Sequence, residues 1–192
     1  AHIRMLEGHE DEINSVVAGS FSGISSLVPI SHAGENDKGH AAVAGLDSSK
    51  STVIVSASKD LTVRVWDFRS GHLLFELLGH SACVYEVAMM RARDSPLAKG
   101  HNAIPPGTPI IVSCSEDATI KLWNLVTGKL VKSLKYHSVS VRGIDTATIM
   151  TVPGDPHSGV SLIASCGWDK TIQFHELGEA LYAKNDSSCE IM

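Results

Sequence analysis

Apolar and polar positions alternate along three stretches of the chain: "SASKDLTVRVWDF" (Ser56 to Phe68), "SCSEDATIKLWNL" (Ser113 to Leu125) and "SCGWDKTIQFHEL" (Ser165 to Leu177). A period of two belongs to strands, not helices. Each stretch is broken near its middle by a polar turn at Asp60, Asp117 or Asp169, so each is predicted to be a hairpin. In register with those aspartates, a strand core begins at Val63, Ile120 and Ile172 and reaches Trp66, Trp123 and His175.

The alternation recurs around the hairpins. Upstream lies a histidine preceded by Gly or Tyr: Gly8-His9, Gly79-His80 and Tyr136-His137. Shortly after it comes a strand pattern, "INSVVA", "VYEVAM" or "VRGIDT". Downstream, "DFRSGHL" and "NLVTGKL" carry a glycine where a positive φ is useful, and "HLLFELL" and "KLVKSLK" supply a fourth strand. The predicted unit is strand, long loop, strand, tight turn, strand, short turn, strand, and it repeats. "HIRML" at the start reads as a fourth strand left over from a preceding unit.

The strings GH…SASKDLTVRVWD, GH…SCSEDATIKLWN and YH…SCGWDKTIQFHE resemble the WD-repeat (WD40) β-propeller family over nearly the whole chain, apart from three insertions. The resemblance implies an all-β fold of about three four-stranded blades, a partial propeller over 1–192. The blades fall at roughly 8–78, 79–135 and 136–184, with a tail at 185–192. It also implies a hydrogen-bonded network within each blade. The first would use His9, Ser56 (or Ser58), Asp60 and Trp66. The second would use His80, Ser113 (or Ser115), Asp117 and Trp123. The third would keep His137, Ser165 and Asp169. A buried imidazole and carboxylate are costly unless each finds a partner, and Trp adds apolar bulk and one N–H donor. The third unit departs from the pattern, with Tyr136 for Gly and His175-Glu176 for Trp-Asp. Its network is expected to be incomplete and its blade looser, and His175→Trp is expected to be neutral or stabilising.

Propellers hide their strand edges by closing a ring of about four to eight blades. Three units and a stray strand do not close one. The readings are an excerpt of a longer propeller, which is favoured, pairing with a second half-propeller, or a poorly recognisable further blade. The partners implied are therefore the remaining blades, from the same longer chain or a second subunit, besides a protein or peptide ligand.

The insertions, Gly19 to Lys50, Arg91 to Pro109 and Thr151 to Gly159, are rich in Gly, Ser and Pro and so loop-like. Since strand order is the same in each unit, all three are expected on one face, the family's bottom face. They hold His32, His40, His101, Asp155 and His157, ligand types suited to zinc but with no local metal spacing, so solvated histidines are preferred.

Partners of the family usually lie on the opposite, top face. The residues expected there are Glu12, Asn14 and Lys59; Cys83, Tyr85 and Glu116; Ser140, Arg142 and Trp168. Tyr, Arg and Trp are common hot-spot types. Trp168, a large aromatic in a tight turn, reads either as a partner anchor or as packing over a neighbouring loop. Mixed charge on this face favours a protein or peptide over a phosphate backbone, and nucleic acid is not expected.

Composition narrows the remaining classes. At 192 residues, 43% hydrophobic and a formal charge of −5, the chain has ample material for a core and no basic footprint for nucleic acid. No apolar run is long enough for a membrane span. Cys83, Cys114, Cys166 and Cys189 show no CxxC pairing and read as buried free thiols in a reducing, intracellular compartment, cytoplasmic or nuclear. Ser, His and Asp recur in every unit, whereas a catalytic triad occurs once, so repetition marks scaffolding and no enzyme or cofactor is implied. The terminal Cys189-Glu190-Ile191-Met192 fits a prenylation pattern, with Glu190 an unfavourable second residue. The function expected is a non-catalytic protein-interaction scaffold. The alternatives are a regulatory or targeting region of a larger multidomain protein, or a lipid-anchored adaptor through Cys189.

Overall fold

The structure is a computed structural model, and it describes residues 5–21, 51–92, 104–105, 107–150 and 159–177. Every regular element among them is a β-strand. The first sheet is a meander of β1 (Ile13–Phe21), β2 (Ser51–Ser58), β3 (Val63–Asp67) and β4 (Leu73–Leu77). The second repeats it with β5 (Val84–Arg91), β6 (Pro109–Ser115), β7 (Ile120–Asn124) and β8 (Leu130–Leu134). The third holds β9 (Val141–Met150), β10 (Gly159–Gly167) and β11 (Ile172–Glu176).

All pairings are antiparallel, and the register repeats. Trp66 lies opposite Ile54, Trp123 opposite Ile111 and His175 opposite Ile163. The first strand of each sheet slips by one residue at the same place. Ile13 and Ser15 face Ser58 and Ala57, Val84 and Glu86 face Ser115 and Cys114, and Val141 and Gly143 face Gly167 and Cys166. Asn14, Tyr85 and Arg142 are thus the extra residues of three equivalent β-bulges. A bulge re-aims the side chain it carries.

The three hairpin turns are equally alike. Each places a residue other than glycine in the left-handed region: Leu61 at φ 73°, Ala118 at 64° and Lys170 at 65°. The preceding aspartate braces this uncommon backbone. Asp60 Oδ1 accepts from the Thr62 N–H (3.0 Å) and hydroxyl (2.7 Å). Asp117 accepts from Thr119 (2.9 and 2.6 Å), and Asp169 from Thr171 (3.1 and 2.8 Å).

The core consists of two layers, each between successive sheets. Val53, Val55, Val63, Val65 and Phe75 of the first sheet meet Val84, Val87, Ile111 and Trp123 of the second. Ile110, Val112, Cys114, Ile120 and Leu122 on the far side of the second sheet meet Val141, Ile144 and Ile163 of the third. The middle strand β6 is consequently buried along its whole length, which explains its nearly unbroken apolar reading as "PIIVSC".

At the outer sides the same positions are uncovered. Ile172 (68% exposed) and Phe174 (67%) occupy the places of buried Val63 and Val65, and of buried Ile120 and Leu122. Ile13 and Val16 are exposed where Val84 and Val87, or Val141 and Ile144, are buried.

Several expectations are adjusted. The third sheet has three strands among the described residues, because the stretch that would supply a fourth lies beyond residue 177. Residues 5–9 run as irregular chain, and the rest of "HIRML" lies outside the described residues. Gly19 to Phe21 belong to β1, since Phe21 is buried in the first core layer, so the first insertion begins after them. The bodies of the insertions, with His32, His40, His101, Asp155 and His157, and the tail with Cys189, also lie outside the described residues. The strand ends that flank the three insertions, Phe21 and Ser51, Arg91 and Pro109, and Met150 and Gly159, lie at the end of the sheets opposite the hairpin turns.

Candidate functional site

Within the first sheet, Trp66 Nε1–H donates to Ser56 Oγ (2.9 Å), Ser56 Oγ lies 2.7 Å from His9 Nε2, and His9 Nδ1 lies 2.7 Å from Asp60 Oδ2. The second sheet has the same chain, Trp123, Ser113, His80 and Asp117, at 2.8 Å for each step. The indole can only donate and an ionised carboxylate can only accept, so with a neutral imidazole the direction is fixed. The serine hydroxyl donates to Nε2, and the Nδ1–H donates to the aspartate. Burial by itself would raise the Asp60 carboxyl, but hydrogen bonds from Thr62, His9 and Glu10 outweigh it and hold the group well below the usual carboxylate range. Asp117 is depressed in the same way by His80, Thr119 and Ser81. Ser58 and Ser115, the alternative serines of the two repeats, bond instead to the carbonyls of Asp11 and Ala82 and to the turn N–H groups of Asp60 and Asp117.

Gly79 shows why a glycine precedes the histidine. Its φ is 149°, and a β-carbon there would sit 3.4 Å from the Trp123 ring; at Gly8 it would meet Trp66 at 3.2 Å. In the third sheet His137 still bonds Asp169 (2.8 Å) and Ser165 (2.9 Å), and only the tryptophan donor is lacking. The vacated volume is refilled. Tyr136 stacks on His175 with ring centroids 3.9 Å apart. Gly-to-Tyr and Trp-to-His are therefore one exchange, not two defects. The expectation that His175→Trp alone is neutral or stabilising is revised, because Tyr136 already fills part of the space an indole would need. Burial, then the nearby His137 charge, lowers the His175 pKa to about 4, and its Nε2 is buried without a hydrogen-bond partner.

This network fixes the hairpin turns, and the turns present the second set of residues. The residue before each aspartate is tied to the start of the first strand: Lys59 N–H to Glu12 O (2.9 Å), Glu116 N–H to Cys83 O (2.9 Å) and Trp168 N–H to Ser140 O (3.0 Å). Lys59, Glu116 and Trp168 are all exposed, Trp168 by 65%. The bulge residues lie beside them. Asn14 Nδ2–H donates to Val84 O (2.9 Å) and Cys83 Sγ (3.2 Å), crossing from the first sheet to the second. The Arg142 guanidinium lies over the Tyr85 ring at 3.8 Å and beside the Trp168 ring at 5.1 Å, crossing from the second to the third. Lys59 and Glu12 form an exposed ion pair at 3.8 Å. Trp168 thus packs on an arginine of its own sheet and still offers most of its surface.

Ser140 is a correction. It is 6% exposed, and its carbonyl anchors Trp168, so its side chain presents no contact surface. Cys166 is another. Its repeat position implies burial, yet it is exposed on the outer side of the third sheet, where its counterpart Cys114 is covered by that sheet. Burial pushes the Cys114 thiol up to about 12, so it is inert, and it also raises Cys83. The contact of Arg142 with both Tyr85 and Trp168 has no local signal, because the three residues come from separate segments. Chemically, the Ser-His-Asp sets are ill-suited to nucleophilic attack: Ser56 and Ser113 are buried and engaged by both an indole and an imidazole. Among the described residues no three His, Cys, Asp or Glu side chains are placed to hold a metal ion.

A family profile described as "WD domain, G-beta repeat" matches residues 35–67, 71–124 and 128–176. The nuclear distribution protein PAC1 of Arthroderma benhamiae is 31% identical over 169 residues, covering 88% of this chain and 27% of that protein. PAC1 of Gibberella zeae is 30% identical over 125 residues, covering 65% of this chain and 24% of that protein. The apoptotic protease-activating factor 1 of Danio rerio is 27% identical over 96 residues, 50% of this chain and 6% of that protein. The chain spans about a quarter of the length of the PAC1 relatives it matches.

Proposed function

The chain belongs to the WD-repeat family, and from that premise we propose that it is a non-catalytic scaffold whose partner-binding surface is the hairpin-turn end of the sheets. One observation carries this reading. Three equivalent turns and three equivalent bulges bring Lys59, Glu116, Trp168, Asn14, Tyr85 and Arg142 to one end, braced from behind by buried networks. A rigid scaffold that displays varied side chains at equivalent positions is suited to recognition. The charges there are mixed, which favours a protein or peptide partner over nucleic acid.

A photo-crosslinking amino acid in place of Trp168, with one in place of Val126 at the opposite end, tests the assignment. Crosslinks to a partner from the first position and none from the second support it. The reverse pattern overturns it.

The uncovered Ile172 and Phe174 support further blades as a second kind of partner, with those of the same longer protein favoured over a second subunit. Light scattering across a concentration series separates the two, since a defined dimer favours the second subunit. The short share of the PAC1 relatives that is covered also supports the alternative of a regulatory or targeting region within a larger multidomain protein. The buried thiol of Cys114 is suited to a reducing intracellular compartment.

A further inference from the structure

The Arg142 guanidinium is stacked but not neutralised. Its central carbon lies 3.8 Å from the Tyr85 ring centroid and 5.1 Å from that of Trp168, and no carboxylate among the described residues lies within the 4.0 Å of an ion pair. Two acidic residues of the same end of the sheets are engaged elsewhere. Glu86 Oε2 accepts the Ile144 N–H at 2.8 Å, and Glu12 pairs with Lys59. The bulge that carries Arg142 sends it across the boundary between the second and third sheets, onto Tyr85, the bulge residue of its neighbour. The turn that carries Trp168 is fixed by the Asp169–His137 bond and by Ser140 O. A guanidinium held over aromatic rings by cation–π attraction can still direct its N–H groups to a further acceptor. That is the preorganised form of a bidentate receptor for a planar anion.

The geometry points to Arg142, stacked by Tyr85 and Trp168, as the receptor for an Asp or Glu side-chain carboxylate of a protein partner. This rests on the reading of the turn end as the partner-binding face and names what that face recognises. A carboxylate fits better than a phosphate. Lys59 is already paired with Glu12, and Glu116 is exposed on the neighbouring turn, so a dianion would meet more repulsion there than a single negative charge. The exposed faces of Trp168 would cover an apolar residue beside the acidic one.

The test uses the full chain and an end-blocked, fluorescein-labelled peptide bearing two glutamates around a leucine, with glutamine and phosphoserine versions of the same peptide. Fluorescence anisotropy should show saturable binding of the glutamate peptide. Arg142→Gln should weaken it about tenfold or more, as removal of an interface anchor does, and Arg142→Lys should recover only part of the loss. Melting curves of the variants confirm that each is folded, as is expected for an exposed side chain. Equal binding of the glutamine peptide, tighter binding of the phosphoserine peptide, no binding of any of the three, or indifference to Arg142→Gln overturns the proposal. If Trp168→Ala weakens all peptides alike while Arg142→Gln does nothing, the carboxylate receptor falls and the binding face stands. If neither substitution matters, the face itself falls.

Discussion

The ring of Tyr136 stacks on the ring of His175, with centroids 3.9 Å apart and planes inclined by 16°, where the second repeat has Gly79 against the edge of Trp123. Two large substitutions have been absorbed as a matched pair. The single variants His175→Trp and Tyr136→Gly are therefore each expected to destabilise, the first by crowding and the second by a cavity, at about 1–3 kcal/mol. The double variant should recover most of that loss and restore an indole donor to Ser165. Chemical denaturation of all four forms gives the coupling energy, and additive effects would refute the pairing.

Trp123 is buried between the first two sheets and donates to Ser113. Trp123→Ala should cost about 3–5 kcal/mol. Ser113→Ala should cost about 1–3 kcal/mol, because it leaves the indole N–H and His80 Nε2 without their partner. A melting temperature unchanged by Trp123→Ala would remove the network from any account of stability.

Gly128 meets its neighbour across the sheet boundary. Its φ is 66°, and a β-carbon there would lie 2.5 Å from the ring of Phe75, which is itself buried. Gly128→Ala should destabilise by about 2 kcal/mol, through backbone strain and through displacement of an aromatic ring that has nowhere to turn. Pairing it with Phe75→Leu should return part of the loss, and denaturant midpoints for the two variants check this.

Acid should act in two windows. His175 ordinarily titrates at 6.5 but is held neutral down to about 4 by burial and by His137. The unfolded chain takes up that proton first, so stability falls as the pH drops from about 6.5 to about 4. Asp60, Asp117 and Asp169 have folded pKa values below the ordinary 3.8. Their contribution is full above that value and lost as the pH falls further. The double variant Tyr136→Gly/His175→Trp should abolish the first window and keep the second. A melting temperature that is flat between pH 6.5 and 4 in the native chain would contradict the neutral His175.

The meanders and their turns were legible because period-two alternation and an aspartate at a fixed offset are local signals. Their boundaries with the long insertions were less so: Gly19 to Phe21 read as loop, yet Phe21 finds a place in the first core layer. The His–Asp pairings came through resemblance, and the bonds at His9, His80 and His137 give them a geometry. What escaped the sequence depends on three-dimensional neighbours. In the sequence Tyr136 reads as a departure from the repeat, and only its stacking on His175 gives it a structural role. Cys166 has the same strand context as Cys114, and only the presence or absence of an adjoining sheet distinguishes them. Ser140 reads as surface beside Arg142, yet it lies just ahead of β9, where its carbonyl takes the Trp168 N–H and its side chain is covered.

Among the described residues the middle sheet is the one with a packed neighbour on both sides, and β6 is buried from end to end while β11 is half open. In a row of units that each hold only the next, breathing starts at the ends. Amide protons on β6 and β7 should then exchange last, those on β1 and β11 first, and a protease should trim the chain inward toward the second repeat. The order of unfolding in time is thus written into the order of sheets in space, with the centre serving as the seed on which either flank can re-form.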